Sequence, residues 1–145
     1  MQEFHHSNCD PKLLSPGTLA FLGDAVYELF VRQNLVETAN MPVNKLHLLA
    51  VEKVRASFQS NAYAIIEPQL TEEEQTIWKR GRNASGVKAP KHADAVEYRR
   101  ATGLEALFGY LFLQGRMDRL EELFQLILSA GEAEAMVCAG MGGPL

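Results

Sequence analysis

Apolar positions recur every three to four residues along most of the chain, and no stretch alternates as a strand would. The periodicity predicts helices throughout. Ser15-Pro16 marks the first start, with Ser as N-cap and Pro at the first helical position. That helix runs to about Val36, with Leu19, Leu22, Val26 and Leu29 as its apolar stripe. On the same wheel Asp24 lies about 160° from Leu22, on a flank shared with Ala20, Tyr27, Glu28 and Val31. Asn40-Met-Pro42 breaks the chain, and a second helix turns Leu46, Leu49, Ala50, Val54 and Phe58 inward. A short helix over Ser60–Ile66 is closed by Glu67-Pro68.

Thr71-Glu-Glu-Glu74 reads as a capping box: Thr71 caps the amide of Glu74, whose carboxylate reaches back. Glu72 and Glu73 suit the positive end of the helix dipole, so all three glutamates read as structural. This helix is expected to end near Arg80 at Gly81, followed by an irregular loop over residues 82–91. The next begins near Ala93 and runs through Tyr98, continuing or restarting at Thr102 into Leu104–Leu113 before Gly115. The last starts around Asp118 with Leu120, Leu123, Phe124, Ile127 and Leu128 inward, and a Gly/Ala-rich end follows Ser129. The expected architecture is an all-α helical bundle: one domain over residues 15–130, between tails at 1–14 and 131–145.

Composition narrows the class. A chain of 145 residues with 47% apolar and 22% charged side chains can build one ordinary globular core. No run approaches the roughly 18 apolar residues of a membrane helix, and Met1–Pro11 has no signal-peptide core. Cys9 and Cys138 sit in the two expected tails, which is no disulfide framework and fits a reducing cytoplasm. His5-His6 reads as part of a loose tail rather than a metal site.

Charge is unevenly spread. Net charge is −4, yet residues 79–100 hold Lys79, Arg80, Arg82, Lys88, Lys91, Arg99 and Arg100 against Asp94 and Glu97. That segment is +5 and the remainder −9, which favours a local polyanion contact over a non-specific coat. The bland alternative is a solvated loop. Trp78 reads as a packing residue rather than a base-stacking platform. Tyr98 and Arg99 precede the Leu104–Leu113 helix and are candidates to support Glu105 on it, with core packing the alternative for Tyr98.

Asp24 and Glu28, one turn apart, project two carboxylates the same way, an arrangement eased by a cation between them. Taken alone they are two solvated acids on an amphipathic helix. Phe21-Leu-Gly-Asp-Ala-Val26, however, resembles the signature of the ribonuclease III catalytic domain. Thr102-Gly-Leu-Glu-Ala-Leu-Phe-Gly-Tyr-Leu111, about 80 residues on, resembles that family's other metal-binding helix. The short chain, Tyr27-Glu28 and Arg80-Gly-Arg-Asn-Ala84 are similar to the Mini-ribonuclease III branch, which lacks a double-stranded-RNA-binding domain. The resemblance spans roughly Leu14 to Leu128.

That resemblance implies a ribonuclease III-type helical endonuclease domain, with Asp24 and Glu105 as catalytic acids and ligands of Mg2+. It implies cleavage of double-stranded RNA to 5′-phosphate ends by a homodimer, and maturation of the large-subunit ribosomal RNA precursor. Two acids of the larger enzymes are replaced, by Ala20 and Thr102, so Glu28 is a candidate third ligand. Arg80, Arg82, Asn83, Lys88 and Lys91 are the candidate RNA contacts, reading backbone and 2′-hydroxyls by shape. Loss of two acids leaves a second reading open: an inactive RNA-binding or ribosome-associated module on the same fold.

Overall fold

The computed structural model describes residues 8–86 and 88–142, with side chains as far as residue 131. His5, His6, Val87 and the side chain of Cys138 lie outside the described residues. Every described element is helical: α1 (Pro16–Thr38), α2 (Val43–Val54), α3 (Ala56–Ile66), α4 (Glu72–Arg82), α5 (Ala95–Leu113) and α6 (Met117–Gly142), with short 3-10 turns at Pro11–Leu13 and Glu67–Gln69.

The core is built around α5, which packs against α1, α3, α4 and α6. From Ala101 to Leu111 every residue of α5 is buried except Glu105. A helix apolar on all sides needs neighbours on all sides, and small residues let them approach. Gly23 of α1 and Gly109 of α5 do this most plainly. A Cβ at Gly23 would lie 1.6 Å from the Glu105 carbonyl oxygen, and one at Gly109 would lie 2.1 Å from that of Leu19. Tyr27, Phe30, Phe108 and Phe124 fill the space beyond, with edge-on ring contacts between Tyr27 and Phe108 at 5.4 Å.

Local signals in the sequence are realised where they are self-contained. Ser15 accepts from the Thr18 amide, and Thr71 and Glu74 form the reciprocal capping box. Glu74 does more than cap: it is fully buried and receives two bonds from Arg119, at 2.9 and 2.8 Å. Gly115 ends α5 at φ 72°, with the Arg116 amide bonded back to the Leu111 carbonyl.

Four expectations about elements change. The chain breaks at Arg55, with ψ 154°, so Phe58 and Gln59 belong to α3 and not to the second helix. The carbonyls freed at the end of α2 are taken by side chains: Tyr27 Oη donates to Lys53 O at 3.0 Å and Gln59 Nε2 to Val54 O at 2.8 Å. Gly81 does not stop α4, which continues to Arg82; a Cβ there would meet Ala106 Cβ at 2.7 Å, so this glycine serves packing on α5. Leu29, expected in the apolar stripe, is 60% exposed, while Ala20, Tyr27 and Val31 from the Asp24 flank are buried. Finally, the helical backbone of α6 runs to Gly142, well past Ser129.

Candidate active site

Asp24 and Glu105 reach each other because their helices do. The contact of Gly23 with the Glu105 carbonyl sets α1 on α5 at the turn that carries both acids. Asp24, next in sequence, is exposed at the border of the buried face; Glu105 is the one residue of the central α5 segment that reaches it. Their carboxyls are in hydrogen-bonding contact. Burial, and then the charge and hydrogen bond of Asp24, push Glu105 up to about 8, against a modest opposing effect of Gln59. Below that value Glu105 favours its protonated form in the absence of a cation.

Two further residues frame the pair. Gln59 is 2% exposed; its Nε2 donates to Val54 O and reaches Glu105 Oε2 at 3.4 Å. Its Oε1 is buried without a hydrogen-bond partner among the described residues. Tyr27, also buried, is held above its ordinary range by burial and by the Glu105 charge, so its hydroxyl remains a donor. Gln59 carries no sequence signal of this position, because its partner lies 46 residues away on another helix.

Glu28 stands apart from this contact. It lies about 40° further round α1 than Asp24 and pairs with Arg32 at 2.8 Å. Among the described residues, no group of three His, Cys, Asp or Glu side chains converges. Ala20 and Thr102 are both buried, and the Thr102 hydroxyl donates to the Tyr98 carbonyl at 2.9 Å. The positions that carry acids in the larger enzymes here serve packing. Two adjacent carboxylates, one partly buried and mutually repelling once ionised, are a hard oxygen donor set that fits a magnesium ion retaining several waters.

The basic residues divide between two sides of α4. Arg80 donates to Leu14 O at 3.1 Å and faces the start of α1. Arg82 points the other way, 5.0 Å from the Trp78 ring, with its Nε on Asn83 Oδ1 at 3.1 Å. Lys88 and Lys91 are exposed in the loop that follows. Trp78 is 3% exposed, as a packing residue should be, and donates from Nε1 to Arg100 O at 3.2 Å.

The sequence model of a family described as Ribonuclease III domain matches residues 17–116. A Mini-ribonuclease 3 from Symbiobacterium thermophilum is 50% identical over 116 residues, covering 80% of this chain and 89% of the relative. One from Brevibacillus brevis is 43% identical over 126 residues, covering 87% and 94%. A crystal structure of a protein from Fusobacterium nucleatum superposes with a TM-score of 0.75 at 31% identity, over 84% of this chain and 98% of that one. Family match, identity and helical architecture agree: the chain belongs to the ribonuclease III family, in its Mini-ribonuclease 3 branch, and is an endoribonuclease.

Proposed function

We propose that this endoribonuclease hydrolyses double-stranded RNA with magnesium held by Asp24 and Glu105, and that its substrate is the precursor of large-subunit ribosomal RNA. The observation that carries the reading is the Asp24–Glu105 contact, two carboxyls brought together at the edge of the buried α1–α5 packing. Magnesium, when bound, lowers the pKa of a coordinated water and neutralises phosphate oxygens. Asp24 and Glu105 supply the negative charge that retains it, and Gln59 holds Glu105 in place from behind. Glu28, paired with Arg32, is available as a further acid when that pair opens.

Arg82, Asn83, Lys88 and Lys91, with Arg80 beyond them, supply phosphate and sugar contacts across the A-form minor groove. With so few contacts, affinity falls steeply with salt. Exposed apolar side chains support a homodimer: Phe21 at 85% and Leu29 at 60% on α1, Val43 at 64% and Leu48 at 71% on α2. Among the described residues, no helix is long and apolar enough to cross a membrane, and a cytoplasmic site of action is part of this proposal. The domain proper is taken as residues 15–130.

The test is incubation of the protein with a long RNA duplex and with a large-subunit precursor, in magnesium and in EDTA. Magnesium-dependent cleavage of both, leaving 5′-phosphate and 3′-hydroxyl ends, is expected. The absence of acids at Ala20 and Thr102 favours the second reading, an inactive RNA-binding module. That module would bind the same RNAs and leave them intact.

A further inference from the structure

An open cleft of about 610 Å³ lies between α3, α4 and the first turns of α5, beside the acidic pair and not part of it. Its floor is Tyr63 stacked on Trp78, with ring centroids 3.6 Å apart and planes 1° from parallel. Each ring covers a face of the other and both are nearly buried, so the pair is a fixed backing for the arginines above it. Arg82 lies over Trp78 at 5.0 Å, and Arg100 over Tyr63 at 5.7 Å. Arg99 and Lys79 complete the basic rim. Among the described residues, none of these four cations forms an ion pair.

The wall is not uniformly basic. Glu67 lies in it, hydrogen-bonded to the Tyr63 hydroxyl, which burial and that carboxylate push up to about 12. Gln75 and Asn83 add amides. A site for bare phosphate needs the cations alone. Guanidinium planes backed by aromatic rings, with a carboxylate and amides at the edge, match a base and its phosphates together. Arginine planes stack unpaired bases, and amides and carboxylates read their edges. The volume falls in the range of small-ligand pockets.

The cleft also has a fixed relation to the acids. Gln59 touches Glu105, and Tyr63 is one turn further along α3. Arg100 is five residues before Glu105 on α5. Along the helix axes these steps are about 6 and 7.5 Å.

We propose that this cleft binds a single unpaired nucleotide with its phosphates. The favoured source is the RNA strand itself, a nucleotide displaced from the duplex beside the cut; this source, though not the chemistry, rests on the duplex-cleavage reading above. A free nucleotide offers the same groups.

Trp78 is the single tryptophan of the chain and forms the floor, so its emission reports occupancy. In EDTA, where no cleavage occurs, the full-length protein is titrated with adenosine and guanosine 3′,5′-bisphosphate, and with ribose 5-phosphate. It is also titrated with a blunt, fully paired RNA duplex and with the same duplex carrying one bulged nucleotide. A saturable change with a nucleoside bisphosphate, at least tenfold tighter than with ribose 5-phosphate, is expected. A bulged duplex binding at least tenfold tighter than the paired one identifies the RNA strand as source; a response to free nucleotides without that preference identifies a free nucleotide. Arg100→Ala, and independently the more exposed Arg99→Ala, should weaken the response tenfold or more with unchanged helical circular dichroism. No saturable response to any nucleotide or bulge, or equal binding of ribose 5-phosphate, overturns the proposal. Magnesium-dependent cleavage is assayed separately, so cleavage without nucleotide binding removes the cleft alone, and nucleotide binding without cleavage removes the nuclease reading alone.

Discussion

Gly23 lies against Glu105 with no room for a side chain: a Cβ would sit 1.6 Å from the Glu105 carbonyl oxygen and 2.8 Å from the Gly109 amide nitrogen. These are backbone atoms of a buried helix, which cannot swing aside as a flexible side chain would. Asp24 and Glu105 meet because this glycine lets α1 and α5 touch.

Gly23→Ala should therefore cost more than ordinary overpacking, which is about 1–3 kcal/mol. The urea midpoint should fall sharply, and any folded fraction should lose cleavage because the acids have moved apart. Unchanged stability in urea titrations would show that α1 and α5 are not held at this distance.

Glu105 makes stability depend on pH in a direction unlike most carboxylates. Its carboxyl is raised to about 8 in the folded chain, so between its ordinary range and that value the folded state holds a proton that the unfolded state has released. In EDTA, stability should therefore decline as pH rises from about 4.5 towards 8. Glu105→Gln should flatten this slope and raise the melting temperature at pH 8, while magnesium should restore the wild type. Calorimetry at several pH values reads all three.

Glu74, bonded to Arg119 of α6, predicts the opposite dependence. Burial raises this carboxyl, but Arg119 and the Thr71 amide more than offset it and hold it below its usual range. Its contribution is present above the ordinary carboxylate pKa and is lost as pH falls through the lowered one. Arg119→Ala leaves Glu74 buried and unpaired and should cost about 3–5 kcal/mol in denaturant titrations at neutral pH. Below the melting transition its cleavage should survive.

The exposed apolar residues of α1 and α2 predict an assembly. Phe21→Lys should shift sedimentation from dimer to monomer with little loss of helicity, because Phe21 is 85% exposed in the single chain and contributes little to its core. A monomeric wild type at micromolar concentration would remove the homodimer.

What could be read from the sequence was what is local or carried by a motif. The Ser15 cap and the Thr71–Glu74 box need only a few neighbouring residues, and both are present. Asp24 and Glu105 stood out through the residues around them, and the fold brings them into contact. The break at Arg55 carries neither Gly nor Pro; it is held by Tyr27 from α1 and by Gln59 one turn into α3, a glutamine with no capping signature. Gly81 read as a stop because helix-ending and helix-packing glycines look alike until the partner helix is known. Leu29 read as core because periodicity cannot tell a face turned to α5 from one turned outward. The Tyr63–Trp78 floor joins residues of two helices and leaves no spacing to find.

The most direct single measurement is single-turnover cleavage of a duplex RNA in magnesium by the wild type, Asp24→Asn and Glu105→Gln, with folding checked by circular dichroism. Cleavage by the wild type, lost in EDTA and reduced at least a hundredfold in both folded variants, is the expected result. Magnesium-dependent cleavage that survives in either folded variant would contradict the assignment of the Asp24–Glu105 pair as the catalytic centre.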